Sequence, residues 1–138
     1  MKTELFLDTA YAIALSSSRD SFHRKAVEIA HQLRAEQTKI ITTRAVLLEI
    51  GNALSRARYR SAAVQLLNAI EHDPNIGIVP LTETLYTQAF NIYQNRTDKE
   101  WGIVDCISFV VMQERDIRQA LTTDEHFRQA GFIPLLLD

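Results

Sequence analysis

The sequence of 138 residues contains little cysteine, proline or glycine. Its single cysteine, Cys106, cannot form an internal disulfide, and its apolar neighbours predict a small buried side chain in a reducing compartment. With only three prolines and four glycines, the chain offers few residues for linkers, so we expect a single domain over residues 1–138. The four histidines lack the short spacings typical of zinc ligands, and His126 is expected to face solvent or to form a local hydrogen bond.

Long hydrophobic runs are also missing from the chain. No segment approaches the roughly 20 apolar residues that a membrane-spanning helix needs. The stretch at residues 5–15 resembles the apolar part of a signal peptide, but Asp8 places a charge inside it, which signal peptides avoid. The sequence therefore predicts a cytoplasmic protein with no membrane segment. The formal net charge of −2 neither favours nor excludes nucleic-acid binding, because bound cations would offset several acids.

Short apolar segments alternate with amphipathic helical patterns along the chain. This alternation is typical of an α/β protein whose parallel sheet is flanked by helices on both faces. We expect four to five short strands in that sheet. The strands are predicted at residues 5–7, 39–42, 76–79, 120–123 and 133–137, and the helices at residues 9–15, 20–33, 44–54, 59–71, 82–94, 103–115 and 124–130.

Three acids interrupt segments that otherwise consist of core residues. Asp8, Glu49 and Asp105 are each the only charged residue in an apolar segment of ten residues or more. An ionised carboxylate that is buried without a partner is costly. Each of them therefore needs compensation from a basic side chain, from the N–H groups at a helix end, or from a metal ion.

The positions of these acids along the predicted elements narrow the choice. Asp8 and Asp124 follow predicted strands, Glu49 lies in the helix after another strand, and Asp105 lies in the first turn of a buried helix. The carboxyl ends of parallel strands meet at one edge of a sheet, where ligands bind. Carboxylates without histidine or cysteine suit Mg²⁺ or Mn²⁺, and such cations promote phosphodiester hydrolysis. The sequence therefore predicts a catalytic metal site.

Each acid taken alone has a simpler interpretation. Asp8 and Asp124 fit the N-cap position of a helix equally well. Asp105 fits a role in complementing the helix dipole, and Glu49 fits a buried pair with an arginine. The metal site is favoured because it accounts for all four acids together.

Five segments of the chain resemble the PIN-domain ribonucleases, in particular the small VapC-type ribonucleases that act as toxins in toxin–antitoxin pairs. The likeness extends over essentially the whole chain. The segments are residues 5–9 (LFLDT), 48–54 (LEIGNAL), 98–101 (DKEW), 105–109 (DCISF) and 121–127 (LTTDEHF).

The resemblance implies an endoribonuclease that depends on Mg²⁺ or Mn²⁺ and hydrolyses RNA without a protein nucleophile. It implies that Asp8, Glu49, Asp105 and Asp124, hereafter the four acids, are the metal ligands and the catalytic residues. It also implies an RNA substrate, a homodimer and a small antitoxin partner.

Two threonines are candidates for hydrogen bonds that hold the four acids in place. Thr9 and Thr123 each adjoin one of the acids and are predicted to support the metal ligands through hydrogen bonds. Relatives often carry a serine or threonine near position 102 or 104, where this chain has Gly102 and Val104. The sequence therefore does not show which group supports Asp105.

Basic residues outside the predicted pocket are candidates for RNA binding. Arg56, Arg58 and Arg60 surround Tyr59, which is available to stack on a base, and Lys99 precedes the helix of Asp105. The alternative is a solvated helix end, where basic residues are favoured in any case. The sequence slightly favours the helix end for the arginines and leaves both roles open for Lys99.

Other classes of protein share parts of this pattern. Receiver domains pair two adjacent acids after the first strand and place a lysine after a late strand, whereas Asp8 stands alone and Asp124 has no such lysine nearby. Two alternatives stay open: a non-toxin PIN-domain nuclease acting in RNA processing or on DNA, and a non-catalytic module that binds RNA or a protein. The presence of all four acids disfavours the second.

Overall fold

The structure, a computed structural model, describes residues 3–138. Strands and helices alternate over this range much as the sequence predicts. The elements are β1 (Leu5–Leu7), α1 (Thr9–Ser16), α2 (His23–Glu36), β2 (Ile40–Thr43), α3 (Arg44–Ala53), α4 (Ala57–His72), β3 (Ile76–Val79), α5 (Glu83–Asn95), α6 (Ile103–Glu114), β4 (Gln119–Leu121), α7 (Glu125–Gln129) and β5 (Ile133–Pro134).

The five strands form one sheet in the order β3-β2-β1-β4-β5, and every neighbouring pair is parallel. Parallel neighbours require crossover connections, which are right-handed in nearly all proteins. The chain moves from β1 towards β3 and then crosses to β4 and β5, so its helices cover opposite faces. Helix α1 packs against α2, α3 and α4, and α6 packs against α5 and α7, while α3 also contacts α6. The predicted α/β fold with a parallel sheet is confirmed.

Two helices begin two or more residues away from their predicted starts. Helix α2 begins at His23 rather than near Asp20, because the Asp20 carboxylate accepts the backbone N–H of Phe22 (2.9 Å) and holds a turn there. Helix α4 begins at Ala57, two residues before the predicted start at Tyr59. The earlier start places three arginines at the N-terminal end of α4.

The last two strands are shorter than predicted. Strand β4 ends at Leu121, and β5 consists of two residues. The backbone of Leu135 still donates to Ala120 on β4 (2.9 Å), but Leu137 turns back to the carbonyl of Pro134 (3.1 Å). Before β5, Gly131 adopts a φ of 96°, a conformation open to glycine, and ends α7 where the sequence predicts.

The core of the described residues is rich in aromatic side chains on the α6 and α7 side of the sheet. Phe6 of β1 and Phe127 of α7 are fully buried, and the Phe109 and Phe127 rings meet edge to face with centroids 5.0 Å apart. Trp101 is buried against Phe109, and Cys106 is buried in the same helix, as predicted. Within residues 3–138 no helix has both the length and the apolar character required to span a membrane.

Candidate active site

The candidate site lies where the order of the strands changes direction. Strands β2 and β3 lie on one side of β1, and β4 and β5 lie on the other. The carboxyl ends of two strands that diverge in this way leave a crevice between them. The Asp8 backbone N–H donates to Leu121 across this crevice (3.3 Å), so the residues that follow β1 and β4 lie side by side.

Asp8 is a buried carboxylate at the centre of this edge. It follows β1, only 4% of its surface is exposed, and its Oδ2 accepts the hydroxyl of Thr122 (2.7 Å). The pKa of Asp8 is raised from 3.8 to about 7. Burial is the largest cause, and repulsion from Asp105 and Glu49 adds to it, whereas the hydrogen bond from Thr122 opposes the increase. The carboxylate of Asp8 therefore lies close enough to those of Asp105 and Glu49 to be destabilised by them.

Glu49 approaches the same place from α3. This helix follows β2 directly and begins with a side-chain cap, because Thr43 Oγ1 accepts the backbone N–H of Val46 (3.1 Å) as the sequence predicts. The hydroxyl of Thr9 donates to Glu49 Oε1 (2.5 Å). Thr9 therefore contacts one of the four acids, and its role in supporting a metal ligand stays a prediction.

Asp105 reaches the site from the first turn of α6. Its Oδ2 accepts the backbone N–H of Gly102 (3.1 Å) and lies 3.0 Å from Nδ1 of His126. Burial raises the pKa of Asp105, and repulsion from Asp124 adds to the increase, whereas the hydrogen bond with His126 opposes it. A backbone N–H and an imidazole therefore contact Asp105.

Asp124 completes the group at the start of α7. Its Oδ1 accepts the backbone N–H of His126 (2.8 Å), so Asp124 is the N-cap of α7, as the simpler interpretation predicts. The same oxygen lies 3.3 Å from His126 Nδ1. Asp8 occupies the N-cap position of α1, but its side chain makes no capping hydrogen bond. Capping thus explains Asp124 in part and does not explain Asp8.

The four acids share one open pocket of about 420 Å³. None of them forms an ion pair with a lysine or arginine within residues 3–138, so the alternative of a buried Glu49–arginine pair is wrong. Hard divalent cations prefer carboxylate oxygens, and the donors present fit such a cation. The pocket is lined by the four acids together with Thr9, Ala10, Ile13, Gly102, Ile103, Val104 and His126.

The threonine hydroxyl that contacts the acids at the start of α7 belongs to Thr122 rather than to Thr123, for which the sequence predicts that contact. Thr122 is fully buried, donates to Asp8 and accepts the backbone N–H of Asp124 (3.0 Å). Thr123 is half-buried and makes no side-chain hydrogen bond to the four acids within the described chain. The backbone bond between Asp8 and Leu121 explains the difference, because it brings the residue directly after Leu121 beside Asp8.

His126 is a site residue that sequence reasoning missed. The sequence predicts that the His126 side chain faces solvent or forms a local hydrogen bond, and its contact with Asp124 agrees with the second option. Its contact with Asp105, which lies 21 residues earlier in the chain, was not predicted. The available signal was its position two residues after Asp124, in the same helical turn. Residues so placed share the surroundings of the helix start.

The predicted RNA-binding residues lie outside the pocket lining. Arg56, Arg58 and Arg60 are exposed at the N-terminal end of α4, and none of them pairs with an acid in the described part of the chain. The Arg58 guanidinium lies 4.8 Å from the centre of the Tyr59 ring. Lys99 is half-buried in the loop before α6. The helix-end alternative loses its electrostatic basis, because the N-terminal end of a helix disfavours cations.

The model of the PIN domain matches residues 5–133 of this chain. The chain belongs to the PIN-domain family. One relative, the 23S rRNA-specific endonuclease VapC20 of Mycobacterium tuberculosis, is 29% identical over 129 residues, which cover 94% of this chain and 95% of VapC20. The likeness to a VapC-type PIN ribonuclease, predicted from the motifs, is therefore confirmed.

Solved structures share the fold of this chain. The crystal structure of VapC20 from M. tuberculosis, described as a sarcin–ricin loop cleaving toxin, has a TM-score of 0.81 and covers 94% of this chain and 96% of its own. VapBC2 from Rickettsia felis, bound to a DNA fragment from their promoter, has a TM-score of 0.67 at 12% identity, with 96% and 97% covered. FitAcB from Neisseria gonorrhoeae has a TM-score of 0.64 at 15% identity, with 94% of each chain covered.

Proposed function

We propose that this PIN-domain protein is an endoribonuclease that depends on a divalent cation and acts as the toxin of a toxin–antitoxin pair. The observation that carries the proposal is the convergence of four carboxylates in one pocket without a lysine or arginine partner in the described chain. Mg²⁺ or Mn²⁺ offsets the repulsion among such groups. The likeness to VapC20, an endonuclease of 23S rRNA, supports RNA as the substrate. Residues 1–138 would then form a single nuclease domain in the cytoplasm.

The side chains of the pocket divide into ligands and supports. When bound, a divalent cation supplies an activated water and neutralises charge on the phosphate. We assign Asp8 and Asp105 as the central ligands, with Glu49 and Asp124 completing the site or orienting the water. The hydroxyl of Thr122 holds the carboxylate of Asp8 in one orientation, so that little rearrangement accompanies the reaction.

The arginines at the N-terminal end of α4 are proposed to bind the RNA backbone. Arg56 and Arg58 are exposed and carry no acidic partner in the described residues, and the helix dipole adds positive potential at that end. Phosphate contacts of this kind strengthen binding without reading the sequence. Tyr59, which is 40% exposed, is available to stack on a base. Lys99 is proposed as an additional phosphate contact near Asp105.

A homodimer is proposed through the exposed face of α5. Tyr86, Phe90 and Tyr93 are each more than 40% exposed, and their rings follow one another with centroids 6.1 and 6.3 Å apart. Aromatic side chains are enriched at protein interfaces, and a contiguous exposed apolar patch marks an interaction site. Phe90→Glu should yield a monomer by light scattering, and an unchanged mass would place the contact elsewhere. The small antitoxin partner is proposed from the likeness to VapC-type toxins.

Cleavage of defined nucleic acids tests the enzyme. The substrates are 23S rRNA with its sarcin–ricin loop, single-stranded RNA and matched DNA, each with Mn²⁺, with Mg²⁺ or with chelator. We compare wild type with Asp105→Asn and with the control Asp116→Asn, an exposed acid on the surface. Metal-dependent cutting of RNA by wild type and by the control alone supports the proposal. Equal cutting by Asp105→Asn contradicts the assigned site, and cutting of DNA alone favours the DNA-directed alternative.

Two further readouts separate the parts of the proposal. If no substrate is cut, yet Mn²⁺ raises the melting temperature of wild type and not of Asp105→Asn, the metal site stands and the substrate is wrong. Induced expression in a bacterium tests the toxin role. Growth arrest that requires Asp105 supports a toxin, whereas cleavage in vitro without arrest favours a nuclease of RNA processing.

A further inference from the structure

We propose that His126 Nδ1 is itself a ligand of the metal ion, and that it makes the site prefer Mn²⁺ over Mg²⁺. The inference rests on the proposed function, because it concerns the cation held by the four acids. It adds a nitrogen donor to a set that the sequence predicts to consist of oxygens alone.

The separations between donor atoms carry the inference. His126 Nδ1 lies 3.0 Å from Asp105 Oδ2 and 3.3 Å from Asp124 Oδ1. One ligand atom from each of the three residues lies within 4.8 Å of the others. Neighbouring ligands of an octahedral ion, each about 2.1 Å from the metal, are about 3 Å apart. The nitrogen and the two oxygens are therefore spaced as adjacent ligands of a single ion.

The position of His126 is fixed by the packing of α7. Phe127, the next residue, is fully buried and contacts the rings of Phe6 and Phe109. The backbone N–H of His126 is bound to Asp124 Oδ1 (2.8 Å). With its backbone held on both sides, the imidazole approaches the two carboxylates on a rigid element, as a metal ligand requires.

The nature of the nitrogen donor sets the expected preference. Mg²⁺ takes oxygen ligands almost without exception. Imidazole nitrogen binds the first-row transition metals, of which Mn²⁺ is one, with an affinity that rises along the series from Mn²⁺ to Cu²⁺. Mg²⁺ and Mn²⁺ carry the same charge and accept the same carboxylate oxygens, so a site of carboxylates alone distinguishes them weakly. A nitrogen in the set therefore favours Mn²⁺, and its removal should reduce the affinity for Mn²⁺ more than the affinity for Mg²⁺.

The alternative role for His126 is that of a hydrogen-bond donor that only holds Asp105. Asparagine separates the two roles, because its amide places a donor near the position of Nδ1 and offers no imidazole nitrogen. His126→Asn is therefore the test variant. His31→Gln is the matched control, since His31 is exposed on α2.

The experiment is pulsed electron paramagnetic resonance of bound Mn²⁺, together with calorimetric titration of Mn²⁺ and Mg²⁺. Wild type and His31→Gln should show echo modulation from a directly bound ¹⁴N, which changes on uniform ¹⁵N labelling. His126→Asn should lack that modulation, and its ratio of Mn²⁺ to Mg²⁺ affinity should fall by roughly tenfold. These readouts do not depend on cleavage.

Several results would overturn the inference. Bound Mn²⁺ without nitrogen modulation in wild type, or an unchanged affinity ratio in His126→Asn, shows that His126 only holds Asp105 and leaves the proposed nuclease intact. No Mn²⁺ binding by wild type rejects both proposals. Nitrogen modulation without cleavage of any RNA supports the ligand and rejects the proposed function.

Discussion

Arginine side chains pair with acids over the outer surface of this protein, whereas none reaches the four acids of the pocket within residues 3–138. Arg96 binds Asp98 with two hydrogen bonds (3.0 and 3.1 Å) in an exposed loop, and Arg128 contacts both Glu125 and Asp138. The pocket concentrates like charges, and among the described residues that line it His126 is the only basic side chain.

The pKa values of the surface acids and the pocket acids also differ, and in opposite directions. The guanidinium of Arg96 lowers the pKa of Asp98, whereas burial raises the pKa of Asp8 to about 7. A surface acid is therefore stabilised in its ionised form, and the central acid of the pocket is destabilised in that form. Functional sites commonly retain such unfavourable charges because a ligand compensates them. The difference indicates that the pocket is arranged for a bound cation rather than for stability.

The largest expected effect follows from removing the charge of Asp8. Asp8→Asn should reduce RNA cleavage by roughly 100-fold or more, since loss of a single supporting residue of a metal site already costs 10- to 100-fold. The amide keeps an acceptor for Thr122, so the fold should persist. Initial rates at saturating Mn²⁺ measure the effect. The exposed variant Asp116→Asn should retain the wild-type rate, and a cleavage rate of Asp8→Asn close to wild type would remove Asp8 from the site.

The metal-free protein should lose stability as the pH rises. The pKa of Asp8 is about 7 in the folded chain against an ordinary value of 3.8, so the unfolded chain releases this proton first. Stability therefore falls between roughly pH 4 and pH 7, and the penalty is complete above that range at up to about 4 kcal/mol. Below roughly pH 4 both states keep the proton, and the penalty is absent.

Chemical denaturation in chelator at several pH values checks this expectation. Asp8→Asn lacks the titrating group, so its unfolding free energy should exceed that of wild type at pH 8 and approach it at low pH. Added Mn²⁺ should reverse the order at pH 8, because only wild type gains from the cation. If the free energies of unfolding of the two proteins change with pH in parallel, the pKa of Asp8 is not raised, and Asp8 ionises like an acid on the surface.

Thr122 and Thr123 allow a smaller test within the pocket. Thr122→Val removes the hydroxyl that joins Asp8 to the backbone of Asp124, and the affinity for Mn²⁺ should fall by about tenfold. Loss of the buried hydrogen bonds should also lower the unfolding free energy by about 1–3 kcal/mol. Calorimetric titration and denaturation measure the two quantities. Thr123→Val is the matched control, and an equal effect there would contradict the placement of Thr122.

The smallest effect is expected at the arginines. Arg58 is exposed and has no acidic partner in the described chain, whereas Arg115 pairs with Glu4 (3.3 Å). Arg58→Gln should weaken RNA binding a few-fold. The slope of the logarithm of the binding constant against the logarithm of the salt concentration should become less steep by about one, the amount expected for one lost phosphate contact. Arg115→Gln should leave RNA binding unchanged. Fluorescence anisotropy over a range of salt concentrations compares the two, and equal losses would mean that the unpaired arginines have no special role.

Much of the architecture was predictable because local patterns determine it. The apolar residues of β1, the cap at Thr43 and the glycine at position 131 each specify an element or its end from neighbouring residues alone. Boundaries were less accurate where a single side chain competes with the helix, as Asp20 does before α2. The four acids were found for a related reason, because three of them are isolated charges in apolar segments. Their role as metal ligands is still a prediction.

The sequence by itself determined that the chain alternates strands with helices. It also determined that Asp8 and Asp124 follow strands, that Asp105 lies in the first turn of a helix and that Glu49 lies within one, since these properties depend on residues near one another in the chain. Only the tertiary structure decided which side chains meet. The neighbour of Asp8 is Thr122 because β4 lies beside β1. His126 contacts Asp105 because α6 and α7 meet at the same edge of the sheet. Contacts between distant segments depend on the order of the strands, which periodicity and caps do not encode.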